Sequence, residues 1–224
     1  METPTIITCT KKVMDDFSTI AMGIPTINQA ELLNTALETY KDTFYGRHIY
    51  IVDNGNQNID LTFQGLKVMV QKKNIGVAAS WNLICRMAFN AGYTHVLMLN
   101  DDVISEKYAD SLEDYVDDVG AGLYIGYKNW SMFILSYDTF VTVGEFDENF
   151  KGAYFEDNDY LYRCKQAGII IEETELMNPE VYHQSMSIRK DPTLNENFER
   201  NKEYYIQKWG GVPTEEKYVK PFNM

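Results

Sequence analysis

The stretch LMLNDDV, Leu97 to Val103, decides how this chain is read. Apolar residues run without interruption into Asn100, Asp101 and Asp102. A short unbroken apolar run is the pattern of a strand buried on both faces, as in a parallel sheet. Its end on adjacent carboxylates raises a question of charge, because neighbouring anions repel unless water, a metal or a cation compensates. Two answers are open. The pair is a solvated turn, since Asn and Asp are common turn formers, or it is a metal site at the carboxyl end of a strand, where α/β sheets hold ligands.

Working outward, the same grammar repeats. Residues 17–26 (FSTIAMGIPT) read as a buried strand closed by Pro25, and 28–42 as an amphipathic helix spaced by Leu32, Leu33, Ala36, Leu37 and Tyr40. A strand at 47–55 ends on Asp53, Asn54 and Gly55, an Asx–Gly turn signal. A third strand spans 66–72, a helix 76–92 stops at Gly92, and a fourth strand spans 94–100. Further on come a helix at 105–119, strand and short helix within 120–144, a helix at 155–168 opened by acids, a strand at 169–173 and a helix at 195–211. Strands alternating with helices predict an α/β fold: one Rossmann-like, three-layer domain with a mostly parallel central sheet flanked by helices. No Pro/Gly/Ser linker divides residues 1–224. Residues 1–17 read as an N-terminal extension, and 184–224 as a flap followed by a terminal helix.

Composition narrows the function. The 224 residues carry a formal net charge of -13, which argues against a broad nucleic-acid-binding face. An acidic protein handling a phosphorylated ligand would recruit a divalent cation as a bridge. No apolar run is long enough to span a bilayer. Cys9, Cys85 and Cys164 are odd in number and widely spaced, which suits a reducing compartment and predicts a cytoplasmic protein.

Polar residues gather at the strand ends: Thr26 and Asn28, Asp53 and Asn54, Asn74, then Asn100 to Asp102. In a parallel sheet those ends share one edge. The ordered set GIPTIN, IVDNG, KNIGVAASWN, LMLNDDV, VGEFDENFKGAYFEDNDYLYRCKQAG and VYHQSMS resembles a family 2 glycosyltransferase of the GT-A fold, over residues 18 to 211. That resemblance implies an inverting, metal-dependent transfer of a sugar from a nucleotide-sugar donor to an acceptor hydroxyl. The acceptor could be a saccharide, a glycoconjugate or a modified nucleic-acid base.

The resemblance also assigns roles. Asn100-Asp101-Asp102 looks like the family's D-x-D element, which makes Asp102 a ligand of Mn²⁺ or Mg²⁺ and turns Asp101 toward the ribose or donor sugar. His183, in VYHQSMS, would be a second metal ligand, since neutral imidazole suits Mn²⁺. Arg189 and Lys190 would reach the diphosphate from a mobile flap. Asp53 stands where the family reads the base. A carboxylate there would accept the imide N–H of uracil, which cytosine lacks, so UDP is the expected carrier. Pro25, Thr26 and Asn28 would wall the base pocket. Asn74 and Gly76 precede a helix start that offers N–H groups and the positive end of a dipole. Ala78, Ala79 and Trp81 read as packing, and Asn82 as packing or recognition. In FEDND, Asp157 would be the general base and Glu156 would orient the acceptor, although acids at a helix start are favoured by the dipole in any case.

Three other functions compete. A nucleotidyltransferase shares sheet and aspartate–metal chemistry, but its Gly-rich basic loop after the first strand is missing from GIPTINQ. An oxidoreductase would need G-x-G-x-x-G between strand and helix, and GAGLYIG has the wrong spacing. A non-catalytic nucleotide-sugar or saccharide-binding module would not need the second acidic pair.

Overall fold

The computed structural model describes residues 5–8, 19–43, 48–59, 62, 65–104, 120–126, 130–174 and 192–224. The expected helix at 105–119 lies outside these residues, as do His183, Arg189 and Lys190.

Eight strands form one sheet. They are β1 (Thr5–Thr8), β2 (Ile20–Thr26), β3 (Ile49–Asp53), β4 (Leu66–Val70), β5 (His95–Leu99), β6 (Leu123–Gly126), β7 (Met132–Ser136) and β8 (Ile171–Thr174). The order across the sheet is β1-β4-β3-β2-β5-β7-β6-β8. Strands β4, β3, β2 and β5 pair in parallel, and β7 runs antiparallel between β5 and β6. Residues 5–8, expected within an extension, instead pair antiparallel with β4 at the sheet edge.

The helices are α1 (Ala30–Thr43), α2 (Val77–Asn90), α3 (Tyr137–Val143), α4 (Glu156–Gln166) and α5 (Phe198–Trp209). Every residue of β3, β5 and β7 is buried, as the unbroken apolar runs require. Alternate residues of β2 enter different cores. Ile20, Met22 and Ile24 pack with Leu33, Ala36, Leu37 and Tyr40 of α1. Ala21 packs on the other face with Ala78, Trp81, Ile84, Cys85 and Ala88 of α2. Three layers follow from a two-residue strand period meeting helical stripes on both sides. A third cluster, Phe150, Phe155, Tyr205 and Trp209, holds α5 against the turn that opens α4.

This topology fixes where a ligand can sit. The chain steps from β2 outward to β3 and β4, then returns to β5 on the other side of β2. Such a switch point leaves a crevice beyond the carboxyl ends of the flanking strands. Thr26 and Asn100 stand there, at the ends of β2 and β5. Among the described residues, no helix is long and apolar enough to cross a membrane.

The approach of α2 to β2 is close at Gly23. A Cβ there would stand 2.4 Å from Ile84 Cγ2 and 2.7 Å from Met98 Sδ. Gly23→Ala is therefore predicted to destabilise the fold by about 1–3 kcal/mol through overpacking, read as a lower urea midpoint at constant m-value.

Candidate active site

A cleft of about 460 Å³ opens at the switch point. Pro25, Thr26 and Asn28 line it from the end of β2, and Asn74 and Gly76 from the start of α2. Asn100, Asp101 and Asp102 line it from the end of β5, and Glu156 and Asp157 from the first turn of α4. These ten residues were all singled out in the sequence, and the fold brings them to one cavity. Asn54, read among the polar strand ends, lines the cleft too, whereas sequence reasoning missed Trp130, Ser131, the 152–154 turn, Thr193, Glu196 and Asn197, and read Trp81 as packing.

Asp53 and Asn82 do not line the cleft. Asp53 is fully buried, and its carboxylate closes its own turn. Oδ1 accepts from the Gly55 amide at 2.8 Å and from Gln57 Nε2 at 3.2 Å, and Oδ2 accepts from the Gln57 amide at 2.8 Å. Gln57 Nε2 also donates to Thr26 Oγ1 at 3.0 Å, and that hydroxyl donates to Asp101 Oδ2 at 2.8 Å. The end of β3 thus reaches the cleft through Gln57 and Thr26, which fix one face of Asp101. Asn82 staples α2 to the chain before the acidic turn, donating to Phe146 O at 2.9 Å and accepting from Phe146 N at 2.8 Å.

Gly76 is the close approach expected of it, but to protein backbone. Its φ is +84°, and a Cβ would stand 3.1 Å from both N and O of Gly152. The Val77 amide at the helix start donates to Gly152 O at 2.7 Å, so this dipole end is partly engaged by the acidic turn. Asn54 holds the same loop, accepting from the Ile75 amide at 3.0 Å and donating to Ser80 Oγ at 3.0 Å.

The turn itself is strained. Gly152, Tyr154 and Phe155 have φ of +67°, +83° and +70°, and the last two carry Cβ atoms. Non-glycine residues held there cost on the order of 1–3 kcal/mol each and persist only where surroundings over-determine them. Asn201 of α5 does much of this. It is fully buried, its Nδ2 donates to the carbonyls of Lys151 (2.8 Å), Ala153 (2.9 Å) and Tyr154 (3.1 Å), and its Oδ1 accepts from the Lys151 amide at 3.1 Å.

The charges divide sharply. Asp101 and Asp102 are buried at 7 % and 5 % exposure, and Glu156 at 5 %. With Asp157 and Glu196, five carboxylates line the cleft, and no Lys, Arg or His does so among the described residues. Burial, and next the charges of Asp102 and Asp101, push the Tyr40 hydroxyl well above its usual range. Its proton stays in place as a donor to Val103 O. Burial first, then the Asp157 charge, push Glu156 up to about 8. Asp157 is raised by burial too, but the backbone amides of Asn158, Asp157 and Phe155 oppose the shift. Backbone hydrogen bonds at Glu156 and Tyr154 oppose the rise of Glu156 as well, and the two neighbouring carboxyls titrate as a pair. Glu156 Oε2 has no hydrogen-bond partner among the described residues.

The donor set of Asp101 and Asp102 fits a hard divalent cation, which takes oxygen ligands and keeps several waters or phosphate oxygens. Among the described residues no group of three or more His, Cys, Asp or Glu converges as a cage. Two carboxylates supply part of a coordination sphere and leave the rest to a ligand.

No protein-family model matches the sequence, and no curated protein matches it. Solved structures do resemble it in fold. The catalytic domain of Drosophila β1,4-galactosyltransferase 7, complexed with xylobiose, superposes with a TM-score of 0.46 at 15% identity over 69% of this chain. This chain spans 63% of that domain. A single-site variant of the same enzyme with manganese, UDP-Gal and xylobiose gives 0.49 at 14% identity, covering 77% of this chain and 73% of the other. A protein from Desulfovibrio desulfuricans G20, described as a nucleotide-diphospho-sugar transferase, gives 0.49 at 10% identity, covering 85% and 94%. The chain has an α/β fold with its cleft where the sheet order switches.

Two outcomes test this geometry. Asn201→Ala removes four partly buried hydrogen bonds to the turn, and is expected to cost about 3 kcal/mol, a Tm loss of roughly 6–12 °C. Glu156 holds its proton more tightly folded (about 8) than unfolded (4.5). The folded state therefore binds more protons between those values, and stability falls as pH rises from about 4.5 to about 8. Urea midpoints across that range should decline in the parent and decline less in Glu156→Gln.

Proposed function

We propose that this chain is an inverting glycosyltransferase that moves a sugar from a nucleotide-sugar donor to an acceptor hydroxyl. One observation carries the reading: two acidic pairs of different character face one cleft at the carboxyl edge of the sheet. Asp101 and Asp102 follow a strand, where a diphosphate-bound cation can be held. Glu156 and Asp157 open a helix on a strained turn, where burial raises both carboxyls and the Asp157 charge raises Glu156 further.

In this reading Asp157 takes the proton of the acceptor hydroxyl as its oxygen attacks the anomeric carbon. The bond from that carbon to the diphosphate oxygen breaks, and its electron pair leaves with the nucleoside diphosphate. Base and leaving group stand on opposite faces of the sugar, so a single displacement inverts the anomeric configuration. Glu156, protonated, donates a hydrogen bond that orients the acceptor. Asp101, its other face taken by Thr26, turns toward the ribose or donor sugar. Asp102, together with His183, would hold Mn²⁺ or Mg²⁺, which when bound neutralises the departing diphosphate. Arg189 and Lys190 would add charge from the flap. Uridine stays the proposed base from the position of Asp53 in the family pattern, with Pro25, Thr26 and Asn28 walling the base pocket, because the Asp53 carboxylate itself closes its own turn. A reducing, cytoplasmic setting suits Cys85 and Cys164, both buried free thiols.

Product NMR from an α-linked UDP-sugar tests the mechanism: a β-linked product supports it and an α-linked product contradicts it. Asp157→Asn keeps a side-chain oxygen for the Asn158 amide, yet should lower kcat about 10²–10⁴-fold with nucleotide affinity unchanged. A variant retaining most activity would make Asp157 a residue of the helix start only. Asp102→Ala should abolish the thermal shift that Mn²⁺ and UDP together produce, and an undiminished shift would remove Asp102 from the metal site.

A further inference from the structure

We propose that Lys67, Tyr50 and His48 form a binding site for a small oxyanion, at the edge of the sheet opposite the cleft. Tyr50 and Lys67 are register partners near the start of the parallel pair β3–β4. His48 immediately precedes β3, and Tyr93 lies between α2 and β5. The cluster therefore stands at the amino ends of the strands, about 10 Å along β3 from Asp53. None of its members lines the cleft, and the site needs nothing from the transferase reading.

Lys67 Nζ lies 3.1 Å from Tyr50 Oη, 3.3 Å from His48 Nδ1 and 4.8 Å from the centre of the Tyr50 ring. Tyr93 meets His48 and Tyr50 edge-on, with centroids 5.6 Å and 6.5 Å away. Two observations point to an anion here. The first is charge. Burial lowers the Lys67 amine, so its charged form calls for compensation. Arg163, Lys202 and Lys208, the other cations that are not fully exposed among the described residues, each pair with a carboxylate. Lys67 pairs with none among the described residues, in a chain of net charge -13.

The second observation is an excess of donors. An ammonium carries three N–H groups and a phenol one O–H. Lys67 finds two acceptors, the Tyr50 oxygen and His48 Nδ1, and the Tyr93 hydroxyl converges on that same nitrogen. One ring nitrogen has a single lone pair and cannot serve both. Burial pushes the Tyr50 phenol up to about 12, so it keeps its proton at neutral pH. That O–H has no acceptor among the described residues, and the sheet fixes its place because Tyr50 is 1% exposed. An oxyanion accepts from Nζ and from the Tyr50 hydroxyl while balancing the charge. A neutral hydroxyl would leave the charge unbalanced, and a metal ion would be repelled by it.

The test titrates the full chain at neutral pH and constant ionic strength, with EDTA present so that no metal bridges anions into the acidic cleft. The probes are inorganic phosphate, methyl phosphate and acetate, which separate free phosphate, a phosphate ester and a carboxylate, and sodium chloride is the control. Imidazole NMR resonances and thermal unfolding are read together. At least one oxyanion should saturate the shift of the His48 ring while His95 stays in place. Lys67→Met keeps an apolar stem over the Tyr50 ring and should abolish saturation. Tyr50→Phe removes only the hydroxyl and should weaken binding about tenfold or more. The proposal is overturned if no oxyanion saturates, if chloride gives the same response, or if Lys67→Met binds like the parent. Should Lys67→Met fail to fold, undiminished affinity in Tyr50→Phe overturns it instead.

Discussion

One buried carboxylate holds the two C-terminal helices, α4 and α5, together. Asp159 is fully buried on α4 and accepts Lys208 Nζ at 2.6 Å, Arg163 Nε at 2.9 Å and Trp209 Nε1 at 2.9 Å. Lys208 also reaches Asp147 at 2.7 Å, and Tyr204 donates to that same carboxylate at 2.9 Å. Buried ion pairs are weak evidence for net stability, but removing one partner leaves an uncompensated charge and costs several kcal/mol. The contacts lock α5 against the start of α4. That lock presents Asn201 to the 151–154 turn, and the turn in turn aims Glu156 and Asp157 at the cleft.

The contrast along one helix turn carries the functional argument. Asp159 has a lysine, an arginine and an indole N–H, whereas Glu156 and Asp157 have backbone amides and each other. The fold had cations to spend, and they went to the residue that holds the helices together. Glu156 and Asp157 line the cleft. Burial raises both carboxyls, and the Asp157 charge raises Glu156 further.

Much of the sheet was legible because strands buried on both faces must be apolar without alternation. That rule located β2, β3, β4 and β5 and the polar edge beyond them. The reversal at β7 was not legible, since pairing direction leaves no local mark in Met132–Ser136. Edge strand β1 was missed for a similar reason: four residues give no helical or strand period to count. At the site, acids and glycines announced themselves by type and position. Asn201 did not, because a single Asn on an amphipathic helix reads as surface, and its partners lie about 50 residues earlier. Trp81 reads as packing, and it does pack, against Phe133 and Phe146. Asp53 was read as facing a ligand, whereas the Gly55 and Gln57 amides draw its carboxylate into the turn.

The central claim is that an acidic cleft at the switch point binds a nucleoside diphosphate only through a divalent cation. Calorimetric titration of the parent protein with UDP, first with Mn²⁺ present and then with excess EDTA, tests it most directly. The account predicts a saturating exothermic isotherm with Mn²⁺ and none with EDTA. Equal UDP affinity under both conditions would contradict it.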